Sequence, residues 1–372
     1  MEHFKDVLNQ PTPSILFNFD QETPAPPLNA SSEEITRTEI AEAIKSLKNN
    51  KTPGPDEVTT ELLKHGQEVV VEGLKHLFNR IWHAEEFPAN WRRGVIVTLP
   101  KKGNLADCNN WRRITLLSIP CKVFCCVLLK CLKDEVDTIL REDQAGFREG
   151  RSCSERIFTL RNIKEQCQEF QIPLTINYIN FKKAFDSIHQ ESLWHTIQLY
   201  CIPPKYVKII RALYHNSTCR VKTTNGKTND FNIVTGVRQG CILSPLLFIT
   251  VIDFVMRKTV IGANHSIKWG GGRLADLDFA DDLALFSHTH VALKELTNNL
   301  HEQGAKVGLR ISQEKTKAMT IAQHQHLPPL TIGEQDIEYI KNFTYLGSNV
   351  SNTGHVEKDV QTRIGKAARV FQ

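Results

Sequence analysis

Long apolar runs are scarce in this 372-residue chain. The most hydrophobic stretches, such as Ile119–Leu132, are broken by Lys, Asp or Arg well before the roughly 18 residues a membrane span needs. No secretion signal is evident, so the expected setting is intracellular, nuclear or cytoplasmic, and not secreted. No repeat recurs, and there is no low-complexity tract beyond the first residues, which argues against solenoids. Paired C-x₂-C spacing is missing around Cys121, Cys125, Cys126 and Cys131, which sit in an apolar run. All ten cysteines fall between 108 and 241 and read as buried thiols in a reducing compartment rather than as zinc ligands. Charge of one sign is also lacking: a net +5 leans only mildly toward polyanions, so placement must carry that argument. What is present, 41% hydrophobic and 23% charged residues, suits a globular protein with a substantial core and two or three subdomains.

Residues 1–30 have little periodicity and carry Pro11, Pro13, Pro24, Pro26 and Pro27, which predicts a flexible leader. Ser31-Ser32-Glu33-Glu34 ahead of Ile35, Ile40, Ile44 and Leu47 predicts a capped amphipathic helix. Lys51–Asp56 is a stiff turn, and a helical pattern then runs from Leu62 to Ile81. Further helices are expected over 114–140, 153–170, 184–200, from Pro204 through Leu213, and over 244–260, 290–307 and 356–371. Strands are expected over 94–100, 174–181, 316–321 and 343–350, with a hairpin from Arg220–Thr224 to Phe231–Val234 around Asn225-Gly226.

Chemistry concentrates in a few places. In Leu277-Asp278-Phe279-Ala280-Asp281-Asp282-Leu283-Ala284-Leu285-Phe286 an adjacent Asp pair sits among apolar residues, where burial is expensive without a cation or donors. Strand, tight turn carrying both Asp, and strand would lift the carboxylates to a hairpin tip and offer Mg²⁺ hard oxygen ligands; an ordinary turn is the other reading. Arg92, Arg93, Lys101, Lys102, Arg112 and Arg113, with Trp91 and Trp111 interleaved, form a basic patch able to grip phosphates and stack on bases. Gln144–Arg151 and Gly236–Gly240 are two more glycine-punctuated basic loops.

The order of these blocks resembles the reverse transcriptase of non-LTR (LINE-type) retrotransposons. The likeness runs over residues 41–350, through K-T-P-G-P-D (51–56), N-W-R-R-I-T-L-L-S (110–118), Q-A-G-F-R-x-G-R-S (144–152) and F-x-K-A-F-D-S (181–187). It continues through R-Q-G-C-x-L-S-P-L-L-F (238–248), F-A-D-D (279–282), G-L-R-I-S-Q-E-K-T-K (308–317) and F-T-Y-L-G (343–347). The resemblance implies an α+β right-hand polymerase. Residues 31–173 would hold the fingers and the N-terminal part, 174–325 a palm on an antiparallel sheet with the catalytic hairpin, and 326–372 a primer-grip hairpin and the start of a truncated thumb.

It further implies RNA template, DNA primer and dNTP as partners and two Mg²⁺ (or Mn²⁺) ions at Asp281 and its less direct partner Asp282. No membrane partner is implied, and the endonuclease that accompanies such polymerases is not in the chain. By the same likeness Arg112, helped by Lys102, clamps the triphosphate, and Phe185 crowds a ribose 2′ hydroxyl. Gln239 and Gly240 contact the nascent base pair, and Lys315 protonates pyrophosphate. Arg148 and Arg151 meet nucleic acid, while Phe343, Tyr345, Leu346 and Gly347 hold the primer end.

Two positions depart from the family pattern. Asn180 stands where the family has a second metal-ligand Asp, and an amide cannot replace a carboxylate's charge or its two bridging oxygens. One missing unit charge about 4 Å from a cation is worth about 4 kcal/mol at an effective dielectric near 20, or roughly a thousandfold in rate. Occupancy by metal and turnover are both put in question. Asp186, six residues on, is no obvious substitute. Decay of an element copy explains Asn180, with a non-catalytic nucleic-acid-binding remnant as the alternative. Arg113 replaces the usual Pro or Gly after the clamp Arg, and is expected either to crowd the nucleotide pocket or to face solvent.

Overall fold

The computed structural model describes residues 2–371 apart from 102, 224–225, 261–265, 270, 323–326 and 354–355. In chain order it forms α1 (Glu2–Leu8), α2 (Arg37–Ser46), α3 (Thr60–His65), α4 (Gln67–Ala84), α5 (Ala89–Arg92), β1 (Arg93–Pro100), β2 (Trp111–Leu116), α6 (Ile119–Ile139), α7 (Cys153–Glu169) and β3 (Leu174–Ile179). Then come α8 (Ala184–Ser187), α9 (Gln190–Leu199), α10 (Pro204–Tyr214), β4 (Thr218–Thr223), β5 (Gly226–Lys227), β6 (Phe231–Asn232) and α11 (Ser244–Val260). The remainder is β7 (Ile267–Trp269), β8 (Gly272–Leu274), β9 (Asp276–Phe279), β10 (Asp282–Ser287), α12 (His290–Lys306), β11 (Lys317–Ile321), β12 (Leu330–Ile332), β13 (Gln335–Tyr339), β14 (Asn342–Tyr345), β15 (Ser348–Ser351) and α13 (Glu357–Phe371). No helix among the described residues is long and apolar enough to cross a membrane.

The chain divides into two compact units interleaved in sequence, residues 1–139 with 185–250, and 140–184 with 251–372. The first unit carries a five-stranded sheet in which β1 pairs β2 antiparallel and β4 parallel, while β5 and β6 pair β4. The first residues of the expected leader form α1 and are packed. Phe4 and Leu8 of α1 are buried with Ile96, Cys219, Val221 and Phe231, and the amides of Val234 and Thr235 donate to the Leu8 carbonyl. Two turns of helix are too short for periodicity to announce them, and burial rather than propensity holds such a segment.

Other boundaries shift for local reasons. The cap of α2 is Thr36, in a reciprocal box with Glu39, not the Ser31–Ser32 pair. Residues 111–116 are strand rather than the start of α6, because β2 pairs with β1 from Trp111–Pro100 to Leu116–Val95. The helix expected over 184–200 is two, α8 and α9, the second capped by the His189 side chain accepting from Ser192. Thr224 and Asn225 of the expected hairpin lie outside the described residues.

The second unit is built on a six-stranded sheet in the order β12-β13-β11-β3-β10-β9. All its pairings are antiparallel except β11 with β13. Every residue of β3 is buried, as its short apolar run requires for a central strand covered on both faces. Ile176 and Tyr178 join Leu160, Ile163 and Cys167 of α7 in one core cluster. On the alternate phase of the strand, the buried Asn177 donates through Nδ2 to Thr297 Oγ1 of α12 at 2.9 Å.

Candidate active site

The Asp pair does rise at a hairpin tip. Phe279 of β9 pairs with Asp282 of β10, so Ala280 and Asp281 form the two-residue turn and Asp282 is the first residue of its strand. Ala280 is left-handed (φ 57°), a backbone that two-residue hairpin turns use and that glycine usually supplies. Burial raises the Asp281 carboxyl, and burial together with Asp281 pushes Asp282 up to about 6. Two consecutive carboxylates, Asp282 at the exposed start of its strand and Asp281 half-buried in the turn, raise each other's cost of ionising and are poised to gain from a cation.

Asn180 belongs to the same end of the sheet. Leu283 pairs with Ile179, so the register one step on sets Asn180 opposite Asp282. Its backbone is tied to the segment bearing Lys315: Ser312 N–H donates to the Asn180 carbonyl at 2.6 Å, and the Asn180 N–H donates to Thr316 Oγ1 at 3.3 Å. Lys315 itself is exposed in that turn. Asp281, Asp282, Asn180 and the Lys315 turn, separated by up to 135 residues in sequence, thus converge through strand register and one loop.

The F-T-Y-L-G block is the β14–β15 hairpin, with Leu346 and Gly347 in left-handed turn positions (φ 48° and 83°). Phe343 stacks on Tyr178 with ring centroids 4.3 Å apart. Tyr345 is buried and donates to the Leu277 carbonyl at 3.0 Å, anchoring the hairpin to β9. Arg148 is also buried, its Nη1 donating to the carbonyls of Arg141 and Gln144 at 2.6 and 2.9 Å. Arg151 is partly exposed and pairs with Glu142 at 2.5 Å.

In the first unit, the alternation of β2 sends Arg112 and Arg113 to opposite faces, Arg112 exposed and the Arg113 side chain only 8% exposed. Arg113 does not point to solvent. It forms an ion pair with Asp186, whose other oxygen accepts from Gln239 Nε2 at 2.8 Å, so the motif Asp anchors both an unusual Arg and the Gln of R-Q-G. Arg238 of the same loop is buried and donates to the Trp91 carbonyl at 2.8 Å, and Gly240 (φ 95°) lies where any side chain would overlap the Thr115 carbonyl. Phe185 stacks on Phe248 with centroids 4.0 Å apart. Lys102 lies outside the described residues.

Sequence reasoning missed a second buried network, in the unit that carries the Asp pair. Arg141 lies 2.6 Å from Asp278, 2.7 Å from Asp276, 3.5 Å from Asp253 and 3.7 Å from Asp143. Asp276 and Asp278 alternate along β9, and that i, i+2 spacing of acids in an apolar strand was its only sequence signal. Burial, with Asp276 adding to it, pushes Asp143 up to about 6 and drives Asp278 well above the usual carboxylate range. The thiols of all ten cysteines are free, those of Cys121, Cys125, Cys167, Cys219 and Cys241 buried.

Comparison with known proteins agrees with the motif order. Residues 99–350 match the family described as reverse transcriptase (RNA-dependent DNA polymerase). The chain is 28% identical over 346 residues to an uncharacterized 149 kDa protein of transposon TX1 from Xenopus laevis, covering 89% of this chain and 26% of that protein. It is 26% identical over 318 residues to a Pol polyprotein of the type-1 retrotransposable element R2 from Nasonia vitripennis (82% of this chain, 30% of that protein). It is 25% identical over 380 residues to the corresponding polyprotein of element R2DM from Drosophila melanogaster (98% and 34%). The chain therefore spans about a quarter to a third of the length of these curated relatives. With its motifs in family order and two thirds of its length matched, the chain belongs to the reverse transcriptase family, of the kind carried by non-LTR retrotransposons.

Proposed function

We propose that this chain is the polymerase domain of a retrotransposon protein, adding dNTPs to a primer 3′ end under the direction of an RNA template, in a right-hand fold whose palm is the six-stranded sheet. The observation that carries the reading is the Asp281–Asp282 tip with Asn180 in register beside it, inside the segment that matches the family. Two adjacent carboxylates supply hard oxygen donors that fit a divalent ion, and Asn180 adds only a neutral carbonyl. Asp281 and Asp282 would hold that ion. Bound there, Mg²⁺ or Mn²⁺ supplies charge neutralisation for an attacking hydroxylate and a leaving pyrophosphate, two ions being the family arrangement.

The chain's own residues take separate parts in that chemistry. Arg112, exposed on β2, reaches the triphosphate, with Lys102 as its helper in the sequence reading. Asp186 restrains Gln239 for contact with the nascent pair, Phe185 crowds the sugar, and the exposed Lys315 donates a proton to pyrophosphate. Phe343, Tyr345, Leu346 and Gly347 carry the primer end, and Arg151 meets the nucleic-acid backbone.

Asn180 favours a second reading, a remnant that binds nucleic acid without chemistry. Primer extension on an RNA template with Mg²⁺ decides between them. Asn180→Asp should extend about a thousandfold faster than the chain as it stands, and adding Asp281→Asn should abolish that gain. Equal rates for the chain and the revertant would overturn the metal-site assignment. Salt-dependent primer–template binding with no extension by either would establish the remnant.

A further inference from the structure

We propose that Gln144 is the positioning residue of the Asp281 turn: its carboxamide holds the backbone of Ala280 left-handed and so aims the Asp281 carboxylate. What the aimed carboxylate is for rests on the polymerase reading; the clamp itself does not. Gln144 is fully buried. Its Oε1 accepts from the Ala280 N–H at 2.8 Å and from the Gly146 N–H at 2.7 Å, and its Nε2 donates to the Ala280 carbonyl at 3.3 Å. A carboxamide presents an acceptor and a donor side by side, and here both meet the peptide groups on either side of one residue, as a neighbouring strand would. That residue is an alanine in a conformation L side chains rarely adopt (φ 57°), directly before Asp281.

The segment around Gln144 is built to bring it there. A Cβ on Gly146 would overlap the nitrogen and Cα of Ala280, so only glycine lets the loop lie against the turn. Ala145 N–H donates to the Asp278 carbonyl at 2.9 Å, and Asp278 N–H donates to the Asp143 carbonyl at 3.0 Å. Residues 143–146 therefore run beside β9, which is the edge strand of the six-stranded sheet, and cover its open hydrogen bonds. Arg148, donating to the Gln144 carbonyl, closes the loop behind it. Leucine or methionine at 144 would leave three backbone groups unpaired, and glutamate would lose the donor that meets the Ala280 carbonyl.

Two measurements on the full chain test this. The first is metal-free amide hydrogen exchange across residues 277–283, comparing the chain with Gln144→Met. Exchange at the turn should quicken at least tenfold while β3 stays as protected as before. The second is Mn²⁺ binding followed by electron paramagnetic resonance in an Asn180→Asp background. Gln144→Met should weaken it at least tenfold, and adding Ala280→Gly, which is at ease left-handed, should recover most of the loss. A folded Gln144→Met chain with unchanged exchange at the turn overturns the proposal, as does a loss of protection spread evenly over the sheet. If Gln144→Met does not fold, Gln144→Glu, which keeps the acceptor and the shape, carries the same comparison. If neither folds, Gln144 is general scaffold and the proposal fails. If the Asn180→Asp parent binds no Mn²⁺, the polymerase reading of the site fails while the exchange result still judges the clamp.

Discussion

Among the described residues, Arg113 of one compact unit pairs with one carboxylate, Asp186, and Arg141 of the other with four, Asp143, Asp253, Asp276 and Asp278. Both arginine side chains are more than nine-tenths buried. The first network pairs one guanidinium with one carboxylate, and Asp186 retains an oxygen for Gln239. The second cannot be matched even with Arg257 on Asp253 at 2.7 Å, and it relieves the excess by holding protons, as the raised Asp143 and Asp278 carboxyls record. A balanced pair orients a loop. A crowded cluster cross-links a strand, a helix and a loop, and depends on pH.

The largest effect should come from Arg141→Met, which takes the guanidinium from three buried carboxylates, Asp253, Asp276 and Asp278, and from the partly exposed Asp143. Stability should fall by more than about 4 kcal/mol, read as a collapse of the denaturant midpoint, and a loss under about 1 kcal/mol would mean the cluster is already neutral. Asp186→Asn should come next. It strands a buried guanidinium and weakens the hold on Gln239, for a loss of about 3 kcal/mol. Replacing both partners, Arg113→Met with Asp186→Leu, should recover most of that stability but not the placement of Gln239. A double-mutant cycle with no coupling between 113 and 186 would erase the contrast between the two networks.

The smallest effect is the pH response. A carboxyl whose folded value is raised to about 6 stabilises the fold in full below the unfolded value near 4, and that contribution is lost as pH rises through about 6. Between pH 4 and 6.5 the chain should therefore lose stability on the order of 1 kcal/mol from Asp143. Asp143→Asn should flatten that slope, whereas variants of the Arg113–Asp186 pair should leave it unchanged. Thermal melts across that window measure it, and identical slopes for the chain and Asp143→Asn would remove Asp143 from the account.

The Asp281–Asp282 hairpin was legible because apolar residues on either side of two acids leave few other conformations. The buried β3, the capped α7 and the Pro-started α10 were equally plain, since period and punctuation agree there. The helix α1 was not, because its burial against β1, β4 and β6 comes from residues about 90 to 230 positions away. Arg113 was read as crowding or exposed because its partner lies 73 residues on. Arg148 and Gln144 sat in a block that looked like a phosphate loop, and their donors turn out to meet backbone.

By itself the sequence determined the family, the order of the blocks and the place of Asn180, since these depend only on which residues follow one another. It also determined the strand phase that puts Asp282 at a strand end. Only the tertiary structure decided which charges face each other, that β9 is covered by the Gln144 segment, and that the motif Asp186 holds Arg113 and Gln239. The reason is physical: local patterns set backbone conformation through near-neighbour sterics and burial. Ionic and hydrogen-bond partners are set by strand register and loop closure between residues far apart in the chain, and no window of sequence contains both.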